Sequence, residues 1–367
     1  MKISNFEEIS SFLNDNKFKK CLLITGNNSY YKSGADKIFG KILEKKILVK
    51  YFKENSIPEF DELKKIIALI EEFKPDLVIA IGGGAVMDYA KSACCLNSSV
   101  KKEDIIEGVI KYKKKVKLCA IPTTAGSGAE VTENSVIYLK EIKYSVEDKL
   151  IKPDYYFLIP ELIIDSSFKL KASAGFDAIA QGVESILSVK SNIESSNFSV
   201  KSLDLSFSSF QNFLEKPNYE NTKKMSLAAN LSGKAISIAR TTAPHALSYP
   251  FTSLYNVSHG HAVSLTFTEI IKFNYENMKR AKPNIDLKKK YELLFNISKT
   301  KSINEFCDYL NHLKKIAKLE GKLKNLNINL DNAYEKILLG VNSLRLKNNP
   351  VEISFEEIKK ILNSINR

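Results

Sequence analysis

The segment Asp76-Leu-Val-Ile-Ala-Ile-Gly82-Gly83-Gly84-Ala-Val-Met-Asp88 decides the fold class of this chain. Its first part predicts a buried β-strand, because apolar side chains occupy both faces of the run. The three glycines predict a turn into a helix, where a phosphate can approach the backbone and interact with the N–H groups of the helix start. We interpret the segment as a pyrophosphate site, against the alternative of an ordinary tight turn between strand and helix.

Short apolar runs alternate with amphipathic stretches through the first half of the chain. Strands are predicted at Cys21 to Thr25, Ile47 to Phe52, Asp76 to Ile81 and Val116 to Ile121, and helices at Asp61 to Phe73 and Ala85 to Leu96. This order predicts a mostly parallel sheet with helices on both faces. Beyond Pro160 the apolar period is close to 3.6 residues, which predicts helices. We expect residues 1–165 to form an α/β cofactor-binding domain and residues 166–367 an all-α domain.

Composition limits the class of protein. The 367 residues include 55 Lys plus Arg and 42 Asp plus Glu, a formal net charge of +13. A basic nucleic-acid-binding protein is the alternative from another class, but the lysines are scattered and lack aromatic interleaving, which favours a solvated surface. We therefore predict no nucleic-acid partner.

Cysteine usage and the hydropathy pattern predict the cellular location. The five cysteines are odd in number and have no CxxC spacing, which predicts reduced thiols in the core. The first residues resemble no signal peptide, and no apolar run reaches the ~20 residues that span a bilayer. The sequence predicts a cytoplasmic protein without a membrane partner.

A second polar turn follows the strand that ends at Ile121. It reads Pro122-Thr-Thr-Ala-Gly-Ser-Gly-Ala-Glu-Val-Thr132, and hydroxyls among glycines past a strand end lie where open α/β sheets bind ligands. The alternative is a hydrophilic loop with helix-capping threonines. GxGxxG spacing is missing after Gly26 and no GxxxxGK[ST] loop occurs, so a standard Rossmann enzyme and a P-loop NTPase are both disfavoured.

Three of the four histidines fall within seventeen positions: His245, His259 and His261. Imidazole suits several transition metals, and Asp177 and Gln181, at i and i+4, project from one face of a predicted helix. Histidines in an apolar context are also frequent as satisfied core residues, so a metal site and a structural cluster both stay open here. His312 lies in a lysine-rich stretch and is expected at the surface.

The motifs together resemble the iron-containing alcohol dehydrogenases. They are GGGxxxDxAK at 82–91, PTTAGSGAEVT at 122–132, Pro160-Glu-Leu, GFDAxxxxxES at 175–185, His245 with His259-Gly260, and Asn348-Asn-Pro350. They occur in the family's order and span essentially the whole chain. The resemblance implies a dehydroquinate synthase-like fold, with a dinucleotide-binding α/β domain, a helical domain, and a divalent metal in the cleft between them.

The resemblance also implies a ligand set for that metal: Asp177, Gln181, His245 and His259. The expected ion is Fe²⁺, with Zn²⁺ or another divalent ion as alternatives. The family usually has His at the position of Gln181 and often at that of Tyr249. An amide oxygen is a weaker donor than imidazole, so this departure predicts a lower metal affinity.

For the nicotinamide cofactor the resemblance implies a set of binding residues, which are Gly26, Asn28, Gly83, Gly84, Asp88, Thr123, Thr124, Ser127 and Lys143. Gly26 stands where NAD-preferring members often carry Asp. Without that carboxylate a 2′-phosphate is not repelled, so NADPH as well as NADH is expected as the hydride donor.

The two departures and the sequence around His245 resemble the phosphonoacetaldehyde reductase branch. This resemblance implies reduction of phosphonoacetaldehyde to 2-hydroxyethylphosphonate in a homodimer or larger oligomer. Arg240 is the candidate phosphonate contact, with a surface arginine as its alternative. Tyr249 and His261 are the candidates for catalytic proton relay. Reductases of uncharged aldehydes, polyol dehydrogenases of the glycerol type and relatives of dehydroquinate synthase are the alternatives of the same fold.

Overall fold

The computed structural model describes residues 6–14, 17–140 and 142–366. The strands are β1 (Lys20–Gly26), β2 (Ile47–Lys53), β3 (Leu77–Gly82), β4 (Lys117–Pro122), β5 (Asn134–Leu139), β6 (Ile142–Glu147) and β7 (Tyr155–Tyr156). The helices of the first half are α1 (Phe6–Asn14), α2 (Asn27–Lys32), α3 (Ala35–Leu43), α4 (Phe60–Phe73), α5 (Gly84–Ala93), α6 (Lys102–Glu107) and α7 (Glu161–Ile164).

The second half is helical throughout its described residues. Its longer helices are α8 (Phe168–Leu187), α9 (Ile193–Glu215), α10 (Tyr219–Ala239), α11 (Ala243–Tyr255), α12 (His259–Glu276), α13 (Leu287–Ser298) and α14 (Ile303–Ile316). Three shorter helices follow: α15 (Leu330–Leu339), α16 (Ser343–Leu346) and α17 (Phe355–Ser364). The predicted fold class, an α/β domain followed by a helical one, is confirmed.

The main sheet has the strand order β2-β1-β3-β4-β7, and every neighbouring pair is parallel. The chain goes from β1 out to β2 and then returns to the other side of β1 for β3. Ligands of open α/β sheets bind at such a switch point, outside the carboxyl ends of the strands. In the register, Gly26 stands opposite Lys53 and Gly82 opposite Pro122, so these four residues share that edge.

Alternation along the strands produces two apolar layers. Leu77, Ile79 and Ile81 enter the core on one face of the sheet, and Val78 and Ala80 enter the core on the other. Helices cover both faces, because a parallel sheet made of crossovers places helices on each side. The strands at Cys21, Ile47, Asp76 and Val116 were therefore predicted correctly. The antiparallel hairpin of β5 and β6 was not predicted, because residues such as Asn134, Lys143 and Ser145 interrupt its apolar pattern.

The chain divides into two compact units. Unit 1 is Met1–Ser166 with Asn218–Asn230, and unit 2 is Ser167–Pro217 with Leu231–Arg367. Unit 2 contains its own apolar core, formed mainly by α11, α12, α15 and α17. All five cysteines are free and buried, as predicted, and His312 is exposed. None of the helices described is long and apolar enough to cross a membrane.

Candidate functional site

Two turns of unit 1 face each other at the carboxyl edge of the sheet. We call residues 82–84 the first turn and residues 122–132 the second turn. Thr123 donates its backbone N–H to the Gly82 carbonyl at 3.0 Å. A Cβ on Gly83 would lie 3.4 Å from Thr124 Cγ2, and one on Gly84 would lie 3.6 Å from Ser127 Oγ. The turns thus line one narrow space, and the missing side chains leave room for a ligand at the start of α5.

A buried lysine fixes the second turn to α5, the helix that begins at the first turn. Lys91 Nζ donates to the Ala129 carbonyl at 3.0 Å and to Thr132 Oγ1 at 2.6 Å. Burial lowers the pKa of Lys91 to about 8, although the charges of Asp88 and Glu130 act in the opposite direction. The second turn is therefore fixed to the helix that begins at the first turn. The GGGxxxDxAK motif contains this lysine, but the sequence alone assigned it no role.

The remaining predicted cofactor residues lie on the same edge of unit 1 or close to it. Gly26 ends β1, and Asn28 is exposed in the first turn of α2. Burial raises the pKa of Asp88 to about 6, and the charges of Lys91 and Lys143 oppose this rise. Lys143, from β6, is thus close enough to Asp88 to influence its charge. The structure brings these groups together, and their contact with a cofactor stays a prediction.

Three helices of unit 2 supply a cluster of side chains that could hold a metal ion. Asp177 of α8, His245 of α11 and His259 of α12 offer ligand atoms that lie within 4.8 Å of one another. His245 Nε2 is 3.1 Å from Asp177 Oδ1. Asp177 and His245 are buried, with 4% of each residue exposed. The resemblance to the family implied these three residues as ligands, and the structure places them around one point.

Gly260 explains how His259 reaches the cluster. A Cβ on this residue would lie only 1.9 Å from the Ser173 carbonyl oxygen and 2.9 Å from Asp177 Cβ. Any other residue would force α12 away from α8. The glycine after His259 therefore permits the close helix contact that sets the histidine beside Asp177.

Glu184, one turn after Gln181 on α8, contacts His245 at Nδ1, the ring nitrogen that does not contact Asp177. Its Oε1 is 2.5 Å from His245 Nδ1, and its Oε2 accepts from the backbone N–H of Thr242 at 2.7 Å and from the Thr242 hydroxyl at 3.0 Å. Such a carboxylate fixes the tautomer and orientation of a metal-binding histidine. Sequence reasoning missed this role, although Glu184 lies inside the GFDAxxxxxES motif and at i+7 from Asp177.

The buried His245 ring is flanked by the carboxylates of Asp177 and Glu184. Burial lowers its pKa, but the charge of Glu184 and the hydrogen bond with Asp177 outweigh burial and raise the pKa from 6.5 to about 10. The ring thus lies between two carboxylates, with Nδ1 beside Glu184 and Nε2 beside Asp177, and a divalent cation at the Nε2 side would also compensate negative charge there. One carboxylate oxygen and two imidazole nitrogens form a donor set that suits Fe²⁺ or Zn²⁺, so the residues fit the implied metal.

Gln181 is adjacent to this cluster but oriented by its neighbours. Its Nε2 donates to Asp177 Oδ2 at 3.2 Å, and its Oε1 accepts from the Ser232 hydroxyl at 2.9 Å. In this orientation the amide oxygen contacts Ser232, whereas a ligand role requires that oxygen to point toward the metal. The role of Gln181 as a fourth ligand stays a prediction.

The catalytic and substrate candidates also belong to unit 2. Tyr249 is buried in α11. His261 of α12 lies 2.8 Å, through Nε2, from the Glu320 carbonyl, so this nitrogen is the donor. Burial lowers the pKa of His261, against the hydrogen bond with Glu320. Arg240 follows the last residue of α10 with a left-handed φ of 64°, and its Nη1 is buried.

Curated proteins resemble this chain at moderate identity. The 4-hydroxybutyrate dehydrogenase of Clostridium kluyveri is 34% identical over 66% of this chain, a match that spans 65% of that relative, just under two thirds. The NADPH-dependent butanol dehydrogenase of Clostridium saccharobutylicum is 27% identical over 95% of this chain and 92% of its own length. The phosphonoacetaldehyde reductase of Streptomyces viridochromogenes is 30% identical over 59% of this chain and 57% of its own length.

A solved structure and two family models extend these comparisons. The sulfoacetaldehyde reductase of Bifidobacterium kashiwanohense, crystallised with NAD⁺, shares the fold with a TM-score of 0.87 at 23% identity, over 100% of this chain and 96% of that chain. The model for iron-containing alcohol dehydrogenase matches residues 2–160, and the model for the C-terminal part of the Fe-containing alcohol dehydrogenase family matches residues 171–366. The predicted oxidoreductase class, with a nicotinamide cofactor and a metal, is confirmed at the level of the family. With both halves matched and Asp177, His245 and His259 gathered around one point, this chain belongs to the iron-containing alcohol dehydrogenase family.

Proposed function

We propose that this chain is a metal-dependent reductase that uses NAD(P)H to convert phosphonoacetaldehyde into 2-hydroxyethylphosphonate. The reaction consumes the aldehyde, one hydride from the nicotinamide and one proton, and it yields the alcohol and NAD(P)⁺. The observation that carries the proposal is the convergence of Asp177 and His245, which are buried, with the half-buried His259. One carboxylate and two imidazoles that converge on one point offer a dication both charge compensation and several donor atoms.

The side chains that would bind the metal already lie close together in the fold. Asp177, His245 and His259 would hold the ion, and Glu184 keeps the His245 ring in place through Nδ1. When bound, a divalent ion polarises the carbonyl oxygen of an aldehyde and stabilises negative charge that develops on it. Burial of the cluster strengthens this electrostatic effect, because fewer water molecules screen it.

The two turns of unit 1 are the proposed cofactor site. Gly83 and Gly84 expose backbone to the pyrophosphate, Asp88 and Lys143 contact ribose, and Thr123, Thr124 and Ser127 surround the nicotinamide end. Lys91 supports this assignment, since it fixes the second turn to α5 through two hydrogen bonds. The protein supplies binding and orientation here, and the nicotinamide supplies the hydride.

Arg240 supports an anionic substrate. A left-handed φ is unfavourable for residues with a Cβ, and glycine is the usual residue after a helix end. Lys299 shares this conformation, so the backbone alone assigns Arg240 no function. The buried Nη1 distinguishes Arg240, and a guanidinium can contact a phosphonate with two N–H groups. The relatives that act on phosphonoacetaldehyde and 4-hydroxybutyrate, both anions, agree with this assignment.

A reductase of uncharged short-chain aldehydes is the second candidate. The match to the NADPH-dependent butanol dehydrogenase covers nearly the whole chain and favours this function. The two candidates differ in whether the substrate carries an anionic group that Arg240 must bind.

The test compares two aldehydes and two matched variants. Purified protein is first analysed for bound metal, and its kcat/KM with NADPH and NADH is then measured for phosphonoacetaldehyde and butanal. Arg240→Gly removes the guanidinium and relieves the left-handed backbone. Lys299→Gly is the control, because Lys299 is another cationic residue after a helix end, with a φ of 58°.

We expect kcat/KM for phosphonoacetaldehyde to exceed that for butanal, and Arg240→Gly to lower it about tenfold or more with little effect on butanal. Lys299→Gly should change neither value. Equal losses for both aldehydes, or a wild-type preference for butanal, would favour the second candidate. Protein that reduces neither aldehyde with metal and cofactor present would contradict both.

Tyr249 and His261 are proposed to pass the proton to the product oxygen, with Gln181 as a further ligand. The cytoplasmic location, the homodimer or larger oligomer and the domain boundary at residue 165 stay predictions.

A further inference from the structure

The carboxyl end of β2 contributes a cation to the edge of the sheet that contains the cofactor turns. Lys53, the last residue of β2, stands opposite Gly26, the last residue of β1. A Cβ built on Gly26 would lie 3.6 Å from Lys53 Cε and 2.8 Å from Ser29 Oγ. Gly26 therefore opens a space that the stem of Lys53 and the hydroxyl of Ser29 border directly.

The loop after β2 holds this lysine in place. Lys53 Nζ donates to the Asn55 carbonyl at 2.6 Å. The buried carboxylate of Glu62 fixes the same loop, because it accepts the backbone N–H of Glu54 at 2.6 Å and of Asn55 at 3.0 Å. Tyr89 donates its hydroxyl to Glu62 at 2.5 Å. The ammonium group is thus oriented before any ligand arrives, which reduces the entropy cost of binding.

Lys53 is partly buried at the end of β2. Within residues 6–14, 17–140 and 142–366, no ion pair of Lys53 with an acidic side chain is present at 4.0 Å or less. Burial lowers the pKa of Lys53, and the charge of Glu62 acts in the opposite direction. A partly buried cation without a paired anion is a favourable place for an anionic group of a ligand.

The topology decides which part of a dinucleotide would reach this place. With the pyrophosphate at the first turn, after β3, and the nicotinamide at the second turn, after β4, the adenosine must extend the other way along the edge. That direction leads across the ends of β1 and β2. In dinucleotide-binding sheets, an acidic residue in this region binds the ribose 2′-hydroxyl, and a basic residue accommodates a 2′-phosphate.

We infer that Lys53 binds the 2′-phosphate of NADPH and makes this chain prefer NADPH to NADH. The inference rests on the proposed function, since it assumes a dinucleotide at the two turns. Gly26 contributes by leaving the space without a carboxylate, and Ser29 places a hydroxyl next to it. A phosphomonoester carries nearly two negative charges, so the hydrogen bond from Lys53 is charge-assisted.

The test measures binding rather than turnover, so it does not depend on the metal. Dissociation constants of NADPH, NADH, 2′,5′-ADP and 5′-AMP are determined by calorimetry or fluorescence for wild type, Lys53→Met and Lys53→Arg. Methionine keeps the apolar stem and removes the charge. Lys50→Met is the matched control, because Lys50 is an exposed lysine of the same strand.

We expect wild type to bind NADPH more tightly than NADH, and 2′,5′-ADP more tightly than 5′-AMP. Lys53→Met should reduce both ratios about tenfold or more, Lys53→Arg should retain most of each ratio, and Lys50→Met should leave them unchanged. A wild-type preference for NADH, or an unchanged ratio in Lys53→Met, would overturn the inference while the proposed function stands. Failure of wild type to bind any of the four ligands would overturn both.

Discussion

The first turn of unit 1 and the Asp177–His245–His259 cluster of unit 2 differ in the groups that they offer to a ligand. The turn offers backbone and works because Gly83 and Gly84 have no side chains. The cluster offers side chains from three helices, and α8 and α11 contribute Asp177 and His245 from positions 68 residues apart. A backbone site is therefore contained in one continuous segment, whereas a side-chain site exists only after the helices pack. We therefore expect different kinds of substitution to weaken ligand binding at the two sites.

The largest effect should come from substitution of Glu184, which contacts His245 but is not itself a predicted metal ligand. Glu184→Gln removes the charge that holds His245 but keeps the size of the side chain, so the affinity for Fe²⁺ or Zn²⁺ should fall about 10- to 100-fold. Metal affinity is measured by competition with a chelator, and folding is checked by circular dichroism. A folded variant with wild-type metal affinity would contradict this expectation, because the side-chain site would then not depend on the Glu184 carboxylate beside His245.

An intermediate effect should come from one methyl group in the first turn. A Cβ on Gly83 would lie 3.4 Å from Thr124 Cγ2, which the folded protein can accommodate. The methyl group would however stand where the pyrophosphate must approach, so Gly83→Ala should raise KM for NAD(P)H about tenfold while Tm stays within about 2 °C.

Gly40→Ala is the matched control for that variant. Gly40 is exposed inside α3, and a Cβ there would meet nothing within 4 Å. This variant should leave KM unchanged and raise stability by about 0.5–1 kcal/mol, the usual gain for alanine over glycine in a helix. An equal rise of KM in both variants would show that the first turn has no special dependence on bare backbone.

The smallest effect should come from a second Glu→Gln exchange in unit 2. Glu357 lies 2.7 Å from Arg280 Nη1, and the hydrogen bond with Arg280 outweighs burial and lowers the pKa of Glu357 to about 2. A lowered pKa contributes stability above the unfolded value near 4.3 and loses it as pH falls toward 2.

Glu357→Gln should therefore lower Tm by no more than about 2 °C at pH 7, since exposed ion pairs contribute little. The difference in Tm between wild type and variant should vanish as pH falls from 4.5 to 2. Metal affinity should not change, in contrast to Glu184→Gln. A difference that persists at pH 2 would show that the side chain acts through packing and not through its charge.

Strands β1 to β4 and both turns could be predicted from the sequence because their signals are local. Asp76 to Gly84 contains an apolar run and three glycines in one stretch, and the structure has β3, the first turn and α5 there. The β5 and β6 hairpin escaped prediction, since its strands depend on contacts such as the Ser92–Ser135 hydrogen bond at 2.6 Å with a distant helix.

The Asp177–His245–His259 cluster and its hydrogen-bond partners could be predicted only in part. Asp177 and Gln181 share a helical face by their spacing, and His245 and His259 were joined to them through resemblance to the family. Glu184 and Ser232 received no role from the sequence, because the partners of a buried polar side chain depend on how helices pack.

By itself the sequence determined the α/β and helical halves and the positions of the turns, because periodicity and glycine spacing act within short segments. Its motifs carried the resemblance to the family. Only the tertiary structure decided that Glu184 contacts His245, that Lys91 fixes the second turn to α5 and that Lys53 borders Gly26. Each of these contacts joins residues 27 to 61 positions apart, or spans two elements, and the distance along the chain carries no information about which polar groups will share a buried space.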